Sequence, residues 1–527
     1  MTQFLDIFGF LSVLLRGFAL TLEALTVGGV IFEVFVAREH ATARAWRWIA
    51  LASMLLAATQ VALASANGAI LIGTTDLTLA DIVGAEFFVA SLVIVSAAIM
   101  IALLPRNRRG NLAASLCCIA IISGSTMMSH GAARVEGRWL LMTLTLVHHA
   151  AGAAWIGGLP YLLFFARRDY NAAPAVTQRF SKLAMVAVAA LVAGGAGLAF
   201  QYVGSAQALG GTIYGIMLAS KIVLTAILLL FGALNRNIVK AVRQGRGPEW
   251  LPLARFVEAE IGIGFTVLLA AASLTSTPPA TDVLIDRVTP HEIVERMTPR
   301  WPRLQTPRLS ELSPAGSLVV PQESSLPGSF VPGESRHPPN PADIAWSEYN
   351  HHWAGFIVLT IGVLAVFSRR FHWARHWPLA FFGLALFLLI RSDAENWPLG
   401  PRGFWESFQV AEVAQHRVFV LLIVAFAIFE WAVQTHRLAP QRAGLVFPFV
   451  CSIGGALLMT HSHSLGNVKE EFLAELSHIP LALLAVVAGW SRWLEIRLPG
   501  ERTRLAAWIW PVCFVLIGTV LILYRES

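Results

Sequence analysis

The sequence predicts an all-α polytopic membrane protein, with about fourteen transmembrane helices in two bundles and both termini extracytoplasmic. Three observations carry this. The 527 residues are 56% hydrophobic and only 13% charged, where a soluble protein carries about 25% charged residues; mean hydropathy is +0.64. Apolar runs of roughly 18 residues or more recur along most of the chain, each able to cross a hydrocarbon core about 30 Å thick as a helix. Basic residues alternate by loop: the odd-to-even connections hold 24 Lys and Arg and the short opposite loops hold 6. The basic side is cytoplasmic. The net charge of +7 is thereby a consequence of topology and points to no nucleic acid.

The spans follow in order. The first, 8–36, has Asp6 and no basic stretch before it, so it reads as a retained helix and not a cleaved signal peptide. Next come 47–72, 80–104 and 112–130, then 143–166, whose inner end is marked by Arg167 and Arg168. Counting about twenty residues back from Arg167 places the outer edge near position 147. The spans 181–203, 213–235 and 255–276 complete a first membrane half, residues 1–277. Residues 278–345 are rich in Pro and Ser and lack sustained periodicity, so they read as an extended or partly disordered extracytoplasmic linker. Within them DVLIDRVTPHEIVERM has the pattern of a short amphipathic helix. The second half, 346–527, holds spans at 351–368, 377–391, 409–435, 444–461, 477–493 and 505–523.

Histidine is the informative residue. Of fifteen, His40, His372, His376 and His436 lie among arginines at cytoplasmic ends, and His291 and His337 lie in the linker. The other nine gather at outer helix ends. In the second half His351 and His352 open one span, His416 lies at the outer end of another, His461 and His463 close a third, and His478 opens a fourth. Acids accompany them at helical spacing: Glu348 before His351 and His352, Glu412 before His416, Glu475 before His478. Residues three or four apart share a helix face, and a carboxylate beside an imidazole can bind the same metal or hold the ring from behind. His461 and His463 would diverge on a regular helix, but SLGN after them suggests a helix end that relaxes, and Met459 adds a thioether. Imidazole with thioether favours copper; imidazole with carboxylate also suits iron or zinc. A single interfacial histidine is commonly a polar anchor, whereas six on four helices point to a metal or haem site. The first half repeats the theme more weakly, with Met127, Met128 and His130 near His148 and His149 across a short outer loop.

Other signals are plainer. Cys117, Cys118, Cys451 and Cys513 all fall inside spans and read as buried structural residues. Arg16, Glu23, Glu86, Lys221, Glu260 and Glu430 also fall inside spans, where an unpaired charge costs roughly 2.5–3.5 kcal/mol. Such residues should face the bundle interior, where acid-base pairs such as Arg16 with Glu23 or Glu86, and Lys221 with Glu260, are available; structural pairing and a permeation path both remain open.

Residues 179–239, EAEIGIGFTVLLAAASLTSTPPA at 258–280 and VHHAAGAAWIGGLP at 147–160 together resemble the copper-resistance protein D (CopD) family. SEYNHHWAG, RSDAENWPLG and THSHSLGNVKE resemble the extension of its long members. The resemblance implies a multi-pass protein of the bacterial inner membrane that handles copper. It carries over His149, Trp155, Gly157 and Gly158 to the family's helix motif, and Arg179, Phe180, Ser181, Tyr214, Gly215, Lys221 and Asn235 to its core. No copper-binding β-sandwich is fused to the chain, so a periplasmic copper donor is expected to be a separate protein.

Three functions remain open: copper capture and transfer through the bilayer, a membrane redox protein with haem or a di-metal centre, and a non-transporting copper sensor or assembly factor. The first leads, with copper as the ion and haem or iron as the alternative. No hydrolase triad, phosphate loop or nucleotide motif is present in the sequence, so neither a catalytic residue nor ATP is expected.

Overall fold

A computed structural model describes residues 2–75, 77–168, 173–243, 250–283, 287–312, 340–391, 393–409, 411–459, 468–500 and 503–526. Among these, helix is the dominant regular structure and no strand occurs beyond an isolated bridge between Asn396 and Arg402. Among the described residues, fourteen helical segments are long and apolar enough to cross a membrane. The protein is a polytopic helical membrane protein. It divides into two compact units, Met1–Arg287 with Met459–Ser462, and Val288–Leu458 with His463–Ser527.

In the first unit, α1 (Thr2–Ile31) runs on into a π-helical turn at Phe32–Ala37. There follow α2 (Ala43–Thr74), α3 (Leu79–Val83), α4 (Glu86–Leu103), α5 (Arg108–Met127), α6 (His130–Ala133), α7 (Arg138–Trp155), α8 (Leu159–Ala166), α9 (Ala173–Val203), α10 (Ala206–Gly211), α11 (Ile213–Arg243) and α12 (Trp250–Leu274). Caps fix several starts. The Thr42 hydroxyl accepts from the Ala45 N–H at 3.1 Å and the Asn107 side chain accepts from the Gly110 N–H at 2.8 Å. Helix α1 is central, packing against α2, α5, α7 and α12. Its approach to α7 needs glycine on both sides. A Cβ on Gly157 would lie 1.8 Å from the Ala24 carbonyl oxygen, and one on Gly28 would lie 2.3 Å from that of Ala153. The expected single span 143–166 is two helices, turning at Ile156–Gly158 with Pro160 in the first turn of α8.

The second unit opens with α13 (Pro290–Met297), the short helix expected in the linker. Thr289 and Glu292 form a reciprocal capping box at its start. Then come α14 (Pro341–Phe367), a 3₁₀ segment at His372–Ala380, α15 (Phe381–Arg391), α16 (Ala411–Gln434), α17 (Pro440–Ala443), α18 (Val446–Leu458), α19 (Val468–Arg497) and α20 (Thr503–Ile522). Pro378 explains why the tenth span enters as 3₁₀ rather than α. Helices α14 and α20 pack along glycines: a Cβ on Gly362 would meet the Val515 backbone nitrogen at 2.6 Å, and one on Gly518 the Leu359 nitrogen at 2.4 Å. Trp377, Phe381, Phe447, Trp510 and Phe514 form the buried aromatic centre of this unit.

The linker expectation is corrected for residues 287–312. This stretch is pinned to the second unit. The Arg303 side chain donates to Glu348 at 3.2 Å, Arg391 donates to the Thr306 hydroxyl at 2.8 Å, and Arg525 donates to the Glu295 carbonyl at 2.9 Å. Polar side chains inside neighbouring helices, not composition, decide that outcome. Residues 313–339, the most Pro- and Ser-rich part, lie outside the described residues.

Candidate metal centre

Helices α14, α19 and α20 bring His351, His478 and Tyr524 together. The His351 ring stacks on the Tyr524 ring with centroids 3.8 Å apart, and His478 meets the same ring edge-on at 6.1 Å. In both histidines Nδ1 contacts the carbonyl oxygen one helical turn back: Ser347 at 2.9 Å for His351 and Ala474 at 2.8 Å for His478. A carbonyl only accepts, so each Nδ1 carries the hydrogen and each Nε2 keeps a lone pair. His416 commits the same nitrogen, its Nδ1 lying 3.3 Å from Asp393 Oδ1. An imidazole whose Nδ1–H is tied to a carbonyl or carboxylate is set to ligate through Nε2.

Beneath the tyrosine, Glu526 accepts from the Tyr524 hydroxyl at 2.8 Å and from the Ser347 hydroxyl. Burial alone would raise the Glu526 pKa, but these hydrogen bonds and the nearby Arg296 hold the carboxyl below its ordinary range. Burial and the Glu526 charge push the Tyr524 phenol well above its ordinary range. Tyr524 is therefore a neutral hydrogen-bond donor, locked between the two imidazoles.

His352 is used differently. Its Nε2 donates to the Tyr524 carbonyl at 2.8 Å, and its Nδ1 accepts from the Arg303 N–H at 2.7 Å. Both nitrogens are spent on backbone, which ties α14 to the chain end and to the 287–312 segment. Glu348, expected to support its neighbouring histidines, instead takes the Arg303 guanidinium. Glu475 is buried at the outer part of α19, and Met459 is buried just after α18. His461, His463 and the Glu412 side chain lie outside the described residues.

In the first unit, His149 on α7 places Nδ1 3.7 Å from Glu23 on α1 and 3.3 Å from the Ser125 hydroxyl on α5. The Gly28–Gly157 contact is what lets α1 carry Glu23 this close. His148 turns the other way, with Nδ1 bonded to the Leu191 carbonyl of α9 at 3.0 Å. Met128 Sδ accepts from Gln60 at 3.3 Å, and the same amide reaches Ser91 at 2.9 Å. His130 lies edge-on to Tyr202, 6.2 Å between centroids, with Nε2 buried and lacking a hydrogen-bond partner among the described residues. Burial, reinforced by the Arg16 charge, lowers its pKa, so the ring is neutral at neutral pH.

The expected intramembrane pairs are corrected. Arg16 donates to the Thr275 carbonyl at 2.8 Å, Glu86 pairs with Arg138 at 2.6 Å, and Glu260 accepts from Asn235 at 3.0 Å. Glu23 faces His149 instead of an arginine. Sequence reasoning also missed Asp393, Tyr524, Ser347 and Glu526. Asp393 and Glu526 carried a signal, as acids at the same outer ends as the histidines. Among the described residues, no three His, Cys, Asp or Glu side chains lie close enough together to hold an ion. The described geometry thus provides paired imidazoles, with any further ligand of the outer cluster to come from elsewhere.

Residues 174–274, which span α9 to α12, match the family model described as Copper resistance protein D. The likeness to the copper resistance protein D family is thus confined to this segment. A further relative is "Copper transport protein CutJ" of Bacillus subtilis (strain 168), 28% identical over 152 residues. That match covers 28% of this chain and 27% of the relative, so it spans about a quarter of the relative's length. No solved structure matches. The family segment includes Lys221, Asn235 and Glu260 but ends before the second unit, where most of the outer histidines lie.

Proposed function

We propose that this protein is a copper-handling protein of the bacterial inner membrane that captures copper at its outer face and transfers it into or across the bilayer. The observation that supports the reading is the shared setting of His351, His416 and His478, each with Nδ1 within hydrogen-bond reach of a protein oxygen that would orient the ring for ligation. By their place in the sequence, His461, His463, Met459, Glu412 and Glu475 are the further candidate donors. The match of residues 174–274 to a copper-resistance family supports copper as the ion. The lysine and arginine bias puts these residues on the extracytoplasmic side, where a separate periplasmic copper-binding protein would deliver the metal. In the first unit Met128, His130 and His149 are the candidate donors of a second, sulfur-containing site, with Glu23 facing His149 and His148 turned away toward Leu191.

The test is copper titration of the full chain in detergent against His351→Ala/His478→Ala. The account expects the variant to insert and fold and to lose at least one nitrogen-bound copper equivalent. Unchanged stoichiometry and affinity would remove this pair from the site.

A further inference from the structure

Two glutamates on α12 of the first unit have opposite settings. Glu258 pairs with Arg255 of its own helix and with Arg167 at the end of α8. Glu260, two residues further along α12, is buried and has no cation beside it among the described residues. Its partner is an amide on α11: Asn235 Nδ2 donates to Glu260 Oε2 at 3.0 Å. The other atom of each side chain, Glu260 Oε1 and Asn235 Oδ1, is buried without a hydrogen-bond partner among the described residues. Both are drawn as acceptors, so neither can satisfy the other. Gly232, one turn before Asn235 on the same face of α11, leaves room for the carboxyl. A Cβ there would stand 3.3 Å from Glu260 Oε1 and 4.0 Å from the Trp155 ring.

No charge from the neighbouring helices answers Glu260. Helix α12 packs against α1, α8 and α11. On α1, Arg16 donates to the Thr275 carbonyl and Glu23 faces His149. In the turn that continues α1, Glu33 accepts from the Thr42 N–H. Arg167 is taken by Glu258. On α11, Lys221 lies about four helical turns before Asn235, and Arg236 and Lys240 are exposed. An apolar interior does not accommodate an unpaired carboxylate, whereas it accommodates the neutral acid. The acid also carries the missing donor, since a protonated carboxyl has one O–H. With the hydrogen on Oε1, that O–H can be shared with Asn235 Oδ1 while Nδ2–H keeps its bond to Oε2. One proton then satisfies both orphaned oxygens.

We propose that Glu260 and Asn235 form a proton-binding site inside the first unit, in which Glu260 takes up and gives back one proton at Oε1. On uptake one O–H bond forms, on release it breaks and the proton goes to water, and no electron moves. The site lies within the segment that matches the family model and uses none of the outer histidines, so it stands or falls separately from copper capture.

The experiment records infrared spectra of the full chain in detergent, in H₂O and in D₂O, as the difference between the parent and Glu260→Gln. Glutamine presents the same donor and acceptor as the protonated acid, so the variant is expected to fold with an unchanged melting temperature. At neutral pH the parent is expected to show a carboxylic-acid C=O band that Glu260→Gln loses. That band shifts to lower wavenumber in D₂O and gives way to carboxylate bands in base. Should Glu260→Gln fail to fold, Asn235→Ala keeps the acid but removes the bond from Nδ2, and is expected to move the band to higher wavenumber. Carboxylate bands in place of an acid band at neutral pH, an acid band that ignores both D₂O and base, or one unmoved by Asn235→Ala would overturn the site.

Discussion

Two adjacent histidines show how residue identity and residue use diverge. His351 and His352 share a helix turn and a membrane depth, so from the sequence they are equivalent. The structure separates them by partner: His351 donates Nδ1–H to its own helix, whereas His352 bridges the Tyr524 carbonyl and the Arg303 N–H. Their fates depend on groups 49 and 172 residues away, and local spacing carries no information about such partners. The same holds for His416, whose acid is Asp393 rather than a neighbour on its own helix, and for Glu23, which meets His149 across two helices. A consequence follows for His352→Ala. It strands one buried carbonyl and one N–H, at about 1–3 kcal/mol each. The expected result is a clear fall in detergent melting temperature with copper stoichiometry retained. Loss of copper without loss of stability would make His352 a ligand instead.

At the scale of elements, most of the fold was legible. Hydropathy runs marked all fourteen spans, because a bilayer demands about twenty apolar residues per crossing whatever their partners are. The amphipathic pattern of α13 was visible in its sequence. Two features were not. The break after Trp155 depends on the close contact of Gly157 with α1, and the docking of 287–312 depends on side chains from α14, α15 and the chain end. Glycine contacts also set the geometry of the outer cluster, because α14 carries His351 and α20 leads into Tyr524. Gly362→Val would force a side chain into the Val515 backbone. Overpacking of this kind typically costs 1–3 kcal/mol. The variant is expected to lower the melting temperature and weaken copper binding together, measured by thermal unfolding and chelator competition on the same preparation. Full stability would mean that α14 and α20 can separate without consequence.

For the whole molecule, orientation is the premise of the account. The fourfold excess of basic residues on one side predicts that both chain ends and the outer histidines face away from the cytoplasm. Single cysteines at Glu136→Cys and Gln441→Cys, in a background without the four native thiols, test this directly. Glu136→Cys is expected to react with an impermeant maleimide on intact cells, and Gln441→Cys only after permeabilisation; the reverse pattern would place the histidines on the cytoplasmic side. The first unit contains the segment that matches the family model, and the second contains most of the histidines at helix ends.

The central claim is that the ion is copper, held by protein side chains. Metal analysis together with an optical spectrum of the purified full chain tests it most directly. The account predicts bound copper with no haem absorption, and less copper in His351→Ala/His478→Ala. A haem spectrum, or iron without copper, would contradict it and make the second unit a redox module.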